Sequence, residues 1–288
     1  MNPEIDDVYN NVYNDDVEDF EGLSDEQLAI INSLEKLVKV NAIFGSGKTF
    51  IIEKLIEKNI DKEIVYLVFT RAMRIEAQER FEKKFGKRCN VKVRTVHSMA
   101  YENFGAKYQD VLTTDLNIFD VAKAVGLFMK KSEDFKLIDE VKIILEHYLT
   151  TGYHSFDEYL IGENINASYK HIMYANKLFN AMLKGKCKVT HNFYLKLWHL
   201  SKPDLSDFDI IAIDEFQDNS GALLDIVDRN SENDSKIVVI GDTNQSIYQF
   251  NHSVNGLELL NKGWKNYPLT KSFRVGNTLA KVMETSFS

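Results

Sequence analysis

Cysteine and proline are scarce in this chain, with two cysteines and three prolines in 288 residues. Cys89 and Cys187 are too few and too far apart for a disulfide framework or a metal-binding knuckle, so we interpret them as ordinary thiols of a reducing compartment. No apolar segment follows a basic start, and no apolar run approaches the length that spans a bilayer. We therefore expect an intracellular protein without a membrane partner, located in the cytoplasm, or in the nucleus of a eukaryotic host. Frequent Asn, Lys and Ile are typical of AT-rich genomes, including those of viruses and phages.

Basic residues are absent from the first 22 positions, which contain eight acidic ones. The acidic residues are Glu4, Asp6, Asp7, Asp15, Asp16, Glu18, Asp19 and Glu21. Because the whole chain has 43 acidic and 35 basic residues, the remainder carries 35 of each, and the formal charge of -8 belongs to this segment. We interpret residues 1–22 as a disordered leader, with a partner-binding peptide as the alternative. The neutral remainder can still present a locally basic groove to nucleic acid.

A glycine-rich loop with the sequence AIFGSGKT covers residues 42–49, between an apolar run and an amphipathic segment. Gly45 and Gly47 allow a tight turn whose backbone N–H groups face phosphate oxygens, while Lys48 reaches the β- and γ-phosphates. Thr49 offers a hydroxyl to Mg²⁺. The general pattern has glycine at the first position and this chain has alanine, so the loop fits a narrower variant. The predicted nucleotide-binding residues of the loop are Ala42, Gly45, Ser46, Gly47, Lys48 and Thr49.

Six short apolar runs predict the strands of a parallel sheet. They cover residues 38–43, 64–69, 91–94, 208–213, 237–240 and, more weakly, 267–269. Helical patterns follow the runs, which favours an α/β fold with helices on both faces of the sheet. Between the third and fourth runs, apolar residues follow a helical period. We therefore expect a mostly helical accessory domain at residues 106–186, inserted into a core made of residues 23–105 and 187–288.

Two adjacent carboxylates, Asp214 and Glu215, follow the fourth apolar run. At the carboxyl end of a strand beside a phosphate loop, such a pair suits metal-assisted phosphoryl transfer. Asp214 would hold Mg²⁺ directly or through water, and Glu215 would polarise the attacking water. In the alternative interpretation, these acidic residues form a loop that caps the helix near Ala222.

Further segments stand in the order found in UvrD/Rep-like superfamily 1 DNA helicases. They cover residues 23–27, 68–72, 94–101, 241–250 and 269–274. Together with the phosphate loop and the acidic pair, this ordered set resembles the N-terminal half of that family. The resemblance implies a RecA-like P-loop NTPase core that hydrolyses ATP with Mg²⁺ and acts on single-stranded DNA. Within it, residues 95–101 and 189–198 are most similar to the F-box DNA helicase subgroup.

The resemblance implies roles for individual residues around the nucleotide. Gln27 would contact the adenine edge, Phe273 would lie against the adenine, and Arg274 would contact the γ-phosphate. Gln245 can hydrogen-bond a γ-phosphate oxygen or the attacking water, and so can report whether the triphosphate is intact. The implied catalytic residues are Lys48, Asp214, Glu215, Gln245 and Arg274.

The resemblance also implies a set of contacts with single-stranded DNA. The implied residues are Phe69, Thr70, Arg71, Thr95, His97, Tyr248 and Phe250. Aromatic faces stack on any base, which suits a motor that ignores sequence. Taken alone, the aromatics would be interpreted as core residues, His97 as a structural histidine and Arg71 as a solvated charge at a helix start. Asn251 stands where relatives usually have arginine, so we expect one charged contact to be missing.

A second RecA-like domain, in cis or in trans, is the partner that the resemblance implies, and only fourteen residues follow Arg274. That domain would supply an arginine that completes the ATP site, so we expect weak or no activity from this chain alone. A competing hypothesis is a non-enzymatic module in which ATP switches single-strand affinity or partner docking. A third, a GTPase or small-molecule kinase, is disfavoured because the sequence has no Asn-Lys-x-Asp tetrapeptide and no acceptor-site signature.

Overall fold

A six-stranded parallel sheet forms the centre of the computed structural model, which describes residues 22–86, 90–243, 255–260 and 263–272. The strands are β1 (Leu37–Ala42), β2 (Glu63–Val68), β3 (Asn90–Thr95), β4 (Ile210–Ile213), β5 (Lys236–Gly241) and β6 (Lys265–Leu269). Their order across the sheet is β3-β2-β4-β5-β1-β6, and every neighbouring pair is parallel. All six apolar runs form strands, so the predicted α/β fold with a RecA-like parallel sheet is confirmed. The acidic leader lies outside the described residues except for Gly22.

Eleven α-helices are found within the described ranges. They are α1 (Asp25–Ile31), α2 (Lys48–Lys58), α3 (Arg71–Phe85), α4 (Val96–Ala100), α5 (Ile118–Val125), α6 (Ser132–Thr150), α7 (Phe156–Gly162), α8 (Tyr169–Leu183), α9 (His191–Leu200), α10 (Gly221–Asn230) and α11 (Gly256–Leu259). None of these described helices combines the length and the apolar character that a membrane crossing requires.

Helices cover both faces of the sheet, which explains why the central strands β2, β4 and β5 are nearly continuous apolar runs. On β2, Ile64 and Tyr66 enter one apolar cluster, whereas Val65 and Leu67 enter another. Because successive side chains of a strand point to opposite faces, the two clusters lie on opposite sides of the sheet. Helices α1, α2 and α3 complete the first cluster, and α4, α9, α10 and α11 complete the second.

The chain between β3 and β4 is helical, as its apolar period predicts. A π-helical turn at Tyr101–Gly105 and a 3₁₀ turn at Ala106–Val111 lead into helices α5 to α8. Their buried side chains form a third apolar cluster, which begins at Tyr108 and extends to Phe193 on α9. The cluster supports a separate helical unit, while the boundaries at residues 106 and 186 stay a prediction.

Directional polar contacts fix this helical part against the core. The Nζ of Lys196, on α9, donates to the backbone oxygens of Thr151 and Tyr153 at 2.9 and 2.6 Å. Lys196 is fully buried, and burial lowers its pKa to about 7. Nearby, Nη2 of Arg229 on α10 lies 2.7 Å from Nε2 of His154, just before α7. Hydrogen bonds have a preferred geometry that apolar contacts lack, so these contacts hold the helical part in one orientation.

Candidate functional site

The phosphate loop connects β1 to α2 at the carboxyl end of the sheet. Gly45 and Gly47 have φ values of +74° and +88°, a region that glycine adopts without steric cost. Ala42 ends β1 and is buried, and α2 begins at Lys48. The positive end of the α2 dipole therefore faces the loop, where it favours an anion.

Two details of the loop fit a phosphate group. Ser46 is fully buried, and its Oγ has no hydrogen-bond partner among the described residues. An unpaired buried hydroxyl is costly, and a phosphate oxygen could accept its hydrogen bond. A β-carbon on Gly47 would lie 3.2 Å from Nε2 of Gln27, so the loop is closely packed at this position.

Gln27 lies directly beside the phosphate loop. Ser24 caps α1, and the side chain of Gln27 accepts a hydrogen bond from the Ser24 backbone N–H at 3.0 Å. The other end of the amide, Nε2, donates to the backbone oxygen of Ser46 at 3.4 Å. Gln27 is only 2 % exposed, so its amide is fixed next to the phosphate loop. Its predicted contact with adenine stays a prediction.

The phosphate loop and the acidic pair are joined by an ion pair. Nζ of Lys48 lies 2.7 Å from Oε2 of Glu215, and both side chains are largely shielded from solvent. Glu215 has a φ of +49°, which is uncommon for a residue with a β-carbon. Nδ2 of Asn219 donates to the backbone oxygen of Glu215 at 3.0 Å and stabilises this turn. The structure thus brings together two of the predicted catalytic residues from segments 167 positions apart.

Asp214 is buried at the end of β4 and held by two donors. Its Oδ2 accepts a hydrogen bond from the hydroxyl of Tyr66 at 2.7 Å, and its Oδ1 accepts one from the backbone N–H of Glu215 at 2.9 Å. Burial raises the pKa of Asp214, and the charge of Glu215 adds to this effect. A bound divalent cation would favour the ionised carboxylate instead. The two hydrogen bonds therefore fix the orientation of the Asp214 carboxylate without a metal ion.

Replacing Tyr66 with phenylalanine is expected to raise the Mg²⁺ concentration required for nucleotide binding by about tenfold, because partners that orient a metal ligand typically contribute 10–100-fold. The measurement is a Mg²⁺ titration followed by fluorescence of a labelled ATP analogue. Tyr267→Phe is the matched control, since the Tyr267 hydroxyl donates to Oγ of Ser33 at 3.0 Å, away from Asp214. An identical Mg²⁺ dependence for the Tyr66 and Tyr267 variants would show that Tyr66 does not orient Asp214 for Mg²⁺ binding.

Five predicted DNA-contacting residues lie at or just beyond the carboxyl ends of β2 and β3, at the same edge of the sheet as the phosphate loop. Phe69 is half-buried, and Arg71 is exposed at the start of α3. Thr70 and Thr95 have local roles, because their hydroxyls cap α3 and α4 by accepting hydrogen bonds from backbone N–H groups. Capping accounts for both threonines without DNA, so their DNA contacts stay predictions.

His97 is enclosed by side chains of α9. Its Nε2 lies 3.4 Å from Oδ1 of Asn192, and its ring meets those of His191 and Tyr194 edge to face. Burial lowers the pKa of His97, so the imidazole is neutral at pH 7. A neutral ring can donate one hydrogen bond to DNA but offers no charge to a phosphate.

Several predicted site residues lie outside the described residues, and their roles stay predictions. They are Gln245, Tyr248, Phe250, Phe273 and Arg274. Two residues of the site were not predicted from the sequence. Tyr66 holds Asp214, and Gln217 contacts Glu215, with Nε2 2.8 Å from the Glu215 Oε2. The close spacing of Gln217 to the acidic pair was a signal that could have identified it.

Comparison with protein families finds a match over most of the chain. Residues 23–202 and 200–262 match the UvrD/REP helicase N-terminal domain. The chain belongs to this family. The predicted resemblance to the N-terminal half of UvrD/Rep-like superfamily 1 helicases is therefore confirmed.

Two curated proteins, both named as F-box DNA helicases, are similar in sequence to most of this chain. F-box DNA helicase 1 of Gallus gallus is 30% identical over 91% of this chain, and F-box DNA helicase protein 1 of Schizosaccharomyces pombe is 29% identical over 90%. The chain spans 27% and 32% of the lengths of these two proteins. The predicted similarity to the F-box subgroup is thus confirmed for a region that makes up about a third or less of each relative.

Proposed function

We propose that this chain is the ATP-binding part of an ATP-dependent DNA helicase that acts on single-stranded DNA. The observation that carries the proposal is the 2.7 Å ion pair between Lys48 and Glu215, which brings the phosphate loop and the acidic pair into one site. Family membership and the names of the two relatives support the same reading. Those names also support an intracellular location, nuclear in a eukaryotic host.

The residues of the site would have different roles in ATP hydrolysis. Lys48 would exchange the Glu215 carboxylate for phosphate oxygens, which frees Glu215 to accept a proton from the attacking water. Thr49 and Asp214 are the residues that would hold Mg²⁺, which when bound would neutralise negative charge on the phosphates. Tyr66 keeps Asp214 in place through the hydrogen bond to Oδ2. Gln27, beside the loop, would select adenine.

A second RecA-like domain, in cis or in trans, is the proposed partner that completes the motor. It would bring an arginine to the γ-phosphate, and such a residue can change the rate by about 10³-fold or more. Residues 23–105 and 187–288 would form the first motor domain, with residues 106–186 as its helical accessory domain. Support for this division comes from the third apolar cluster, which packs chiefly within the helical part.

The proposal is tested by measuring ATP hydrolysis under single-turnover conditions, with the chain in excess over labelled ATP, with and without single-stranded DNA. We expect slow hydrolysis that single-stranded DNA accelerates, and a further increase when the second domain is added. Nucleotide binding without hydrolysis, even with DNA and the second domain present, would instead identify a non-enzymatic switch. Absence of both nucleotide and DNA binding would reject both functions.

Arg71→Ala is expected to weaken single-stranded DNA binding and to reduce its dependence on salt. A side chain that contacts one phosphate releases about 0.7 counterion from a single strand, so the slope of log K against log salt should fall by about that amount. Fluorescence anisotropy at several salt concentrations measures it. Lys83→Ala, an exposed lysine in the last turn of the same helix, is the control. Equal slopes for the two variants would show that Arg71 is a solvated charge at the start of α3 and does not contact DNA.

A further inference from the structure

We propose that Gln217 is a positioning residue, which holds the Glu215 carboxylate and ties it to the end of β5. The inference rests on the proposed function, because it concerns the group that would activate the attacking water. Gln217 is 2 % exposed and lies in a short 3₁₀ turn that follows Glu215.

Both ends of the Gln217 amide are used. Its Nε2 donates to Oε2 of Glu215 at 2.8 Å and to Oδ2 of Asp218 at 3.1 Å. Its Oε1 accepts a hydrogen bond from the backbone N–H of Asp242 at 3.0 Å. A buried amide with donors and acceptors satisfied in this way has one orientation, since a flipped amide would place its NH₂ group against the Asp242 N–H.

The end of β5 is itself fixed, so it can serve as an anchor for this amide. The backbone N–H of Thr243 donates to Oδ1 of Asn41 at 3.2 Å, and the Thr243 hydroxyl also bonds to the Asn41 amide. Asn41 belongs to β1, directly before the phosphate loop. The residues that follow β5 are therefore held from both sides, by Gln217 at Asp242 and by Asn41 at Thr243.

The close approach of Gln217 to β5 depends on Gly241. A β-carbon on Gly241 would lie 2.2 Å from Oε1 of Gln217 and 3.2 Å from the Gln217 backbone nitrogen. The 2.2 Å contact is shorter than any β-carbon makes, so any side chain at this position would displace the amide. The glycine at the end of β5 thus leaves the space that the Gln217 side chain fills.

The hydrogen bond from the Gln217 amide to Glu215 would be most important when a nucleotide is bound. In the structure, Lys48 and Gln217 both contact Oε2 of Glu215. If Lys48 turns to the phosphates, Gln217 is the remaining described donor to that oxygen. It would then hold the carboxylate in place for the attacking water without neutralising its charge, since the donor is an uncharged amide. Such a role should affect the rate of hydrolysis and leave nucleotide affinity nearly unchanged.

Two substitutions at Gln217 test this role. Gln217→Glu keeps the shape and the acceptor for Asp242 but loses the donor to Glu215, and Gln217→Met keeps the volume without adding charge. We expect the single-turnover rate at saturating Mg-ATP to fall about 10–100-fold in both, as is typical when an orienting partner is removed. The ATP concentration at half-saturation should change by less than about threefold.

Asn230→Asp is the matched control. Asn230 is a buried amide on α10, with Nδ2 donating to the backbone oxygens of Pro203 and Ile226 and Oδ1 accepting from the Leu205 N–H. The substitution removes donors from a buried amide away from Glu215, so it should lower thermal stability and leave the rate unchanged below the melting temperature.

Wild-type rates in the folded Gln217 variants would overturn the inference, as would equal slowing by Asn230→Asp. A parallel rise in half-saturation would show that Gln217 supports nucleotide binding rather than Glu215, and would also overturn it. If the Glu variant fails to fold, the Met variant decides. These results are separate from failure of the proposed function, in which the wild-type chain itself would not hydrolyse ATP with DNA and the second domain present.

Discussion

Lys48→Ala is expected to reduce the affinity for Mg-ATP by about 2–5 kcal/mol, which is roughly 30- to 4,000-fold. The lysine would neutralise charge on the β- and γ-phosphates, and the truncated side chain leaves that charge unpaired at a largely shielded position. The fold should survive, because the Lys48–Glu215 pair lies at the edge of the sheet and both side chains retain some exposure, 16% and 27%. Isothermal calorimetry measures the affinity, and circular dichroism checks the fold.

Lys54→Ala is the control for the loss of a positive charge from the same helix. Lys54 pairs with Glu57 at 2.9 Å, within α2 and away from the phosphate loop. This variant should bind Mg-ATP as the wild type does. Unchanged affinity in Lys48→Ala would reject the assignment of residues 42–49 as a phosphate loop, and with it the proposed function.

Glu215→Gln is expected to bind nucleotide normally and to hydrolyse it about 10²- to 10⁴-fold more slowly. The amide can still accept a hydrogen bond from Lys48 or Gln217, but it is too weak a base to take the proton of the attacking water. Affinity should be preserved because the phosphate loop is untouched. Rapid-quench measurement of a single turnover, with single-stranded DNA and the second domain present, separates the chemical step from binding.

Asp209→Asn provides a matched control next to the same strand. Asp209 lies just before β4, at the end opposite the acidic pair, where its Oδ2 accepts a hydrogen bond from the Glu63 backbone N–H at 2.9 Å. Removing its charge should leave the hydrolysis rate unchanged. Wild-type turnover in Glu215→Gln would exclude Glu215 as the base and direct attention to another group near the γ-phosphate.

Strands β2, β4 and β5 were predictable because they are buried on both faces and so appear as continuous apolar runs in the sequence. The second run was predicted at 64–69 and forms β2 at Glu63–Val68. The fourth was predicted at 208–213 but forms β4 only over Ile210–Ile213, because apolar character alone does not mark where pairing begins. The phosphate loop was also predictable, since its spacing follows from glycine conformation and phosphate geometry.

Contacts between distant segments were not predictable in the same way. The hydrogen bond from Tyr66 to Asp214 requires β2 to lie beside β4, and no local pattern gives the order of strands in a sheet. The alternative interpretation was that the acidic residues cap the helix near Ala222. In the structure this helix is α10, and the side chain that caps it is that of Ser220. The threonine caps at Thr70 and Thr95 were visible as local signals, since each threonine precedes a helix.

The position of β1 between β5 and β6 has a consequence for synthesis of the protein. A ribosome completes β1 about 190 residues before it reaches β5, which at about 5–20 residues per second is a delay of roughly 10–40 s. During that interval, both edges of an apolar strand lack their neighbours and can pair with other nascent chains. The strand that precedes the phosphate loop is therefore made first and paired last, so the yield of folded chain should depend on chaperones that shield β1 while the rest is made.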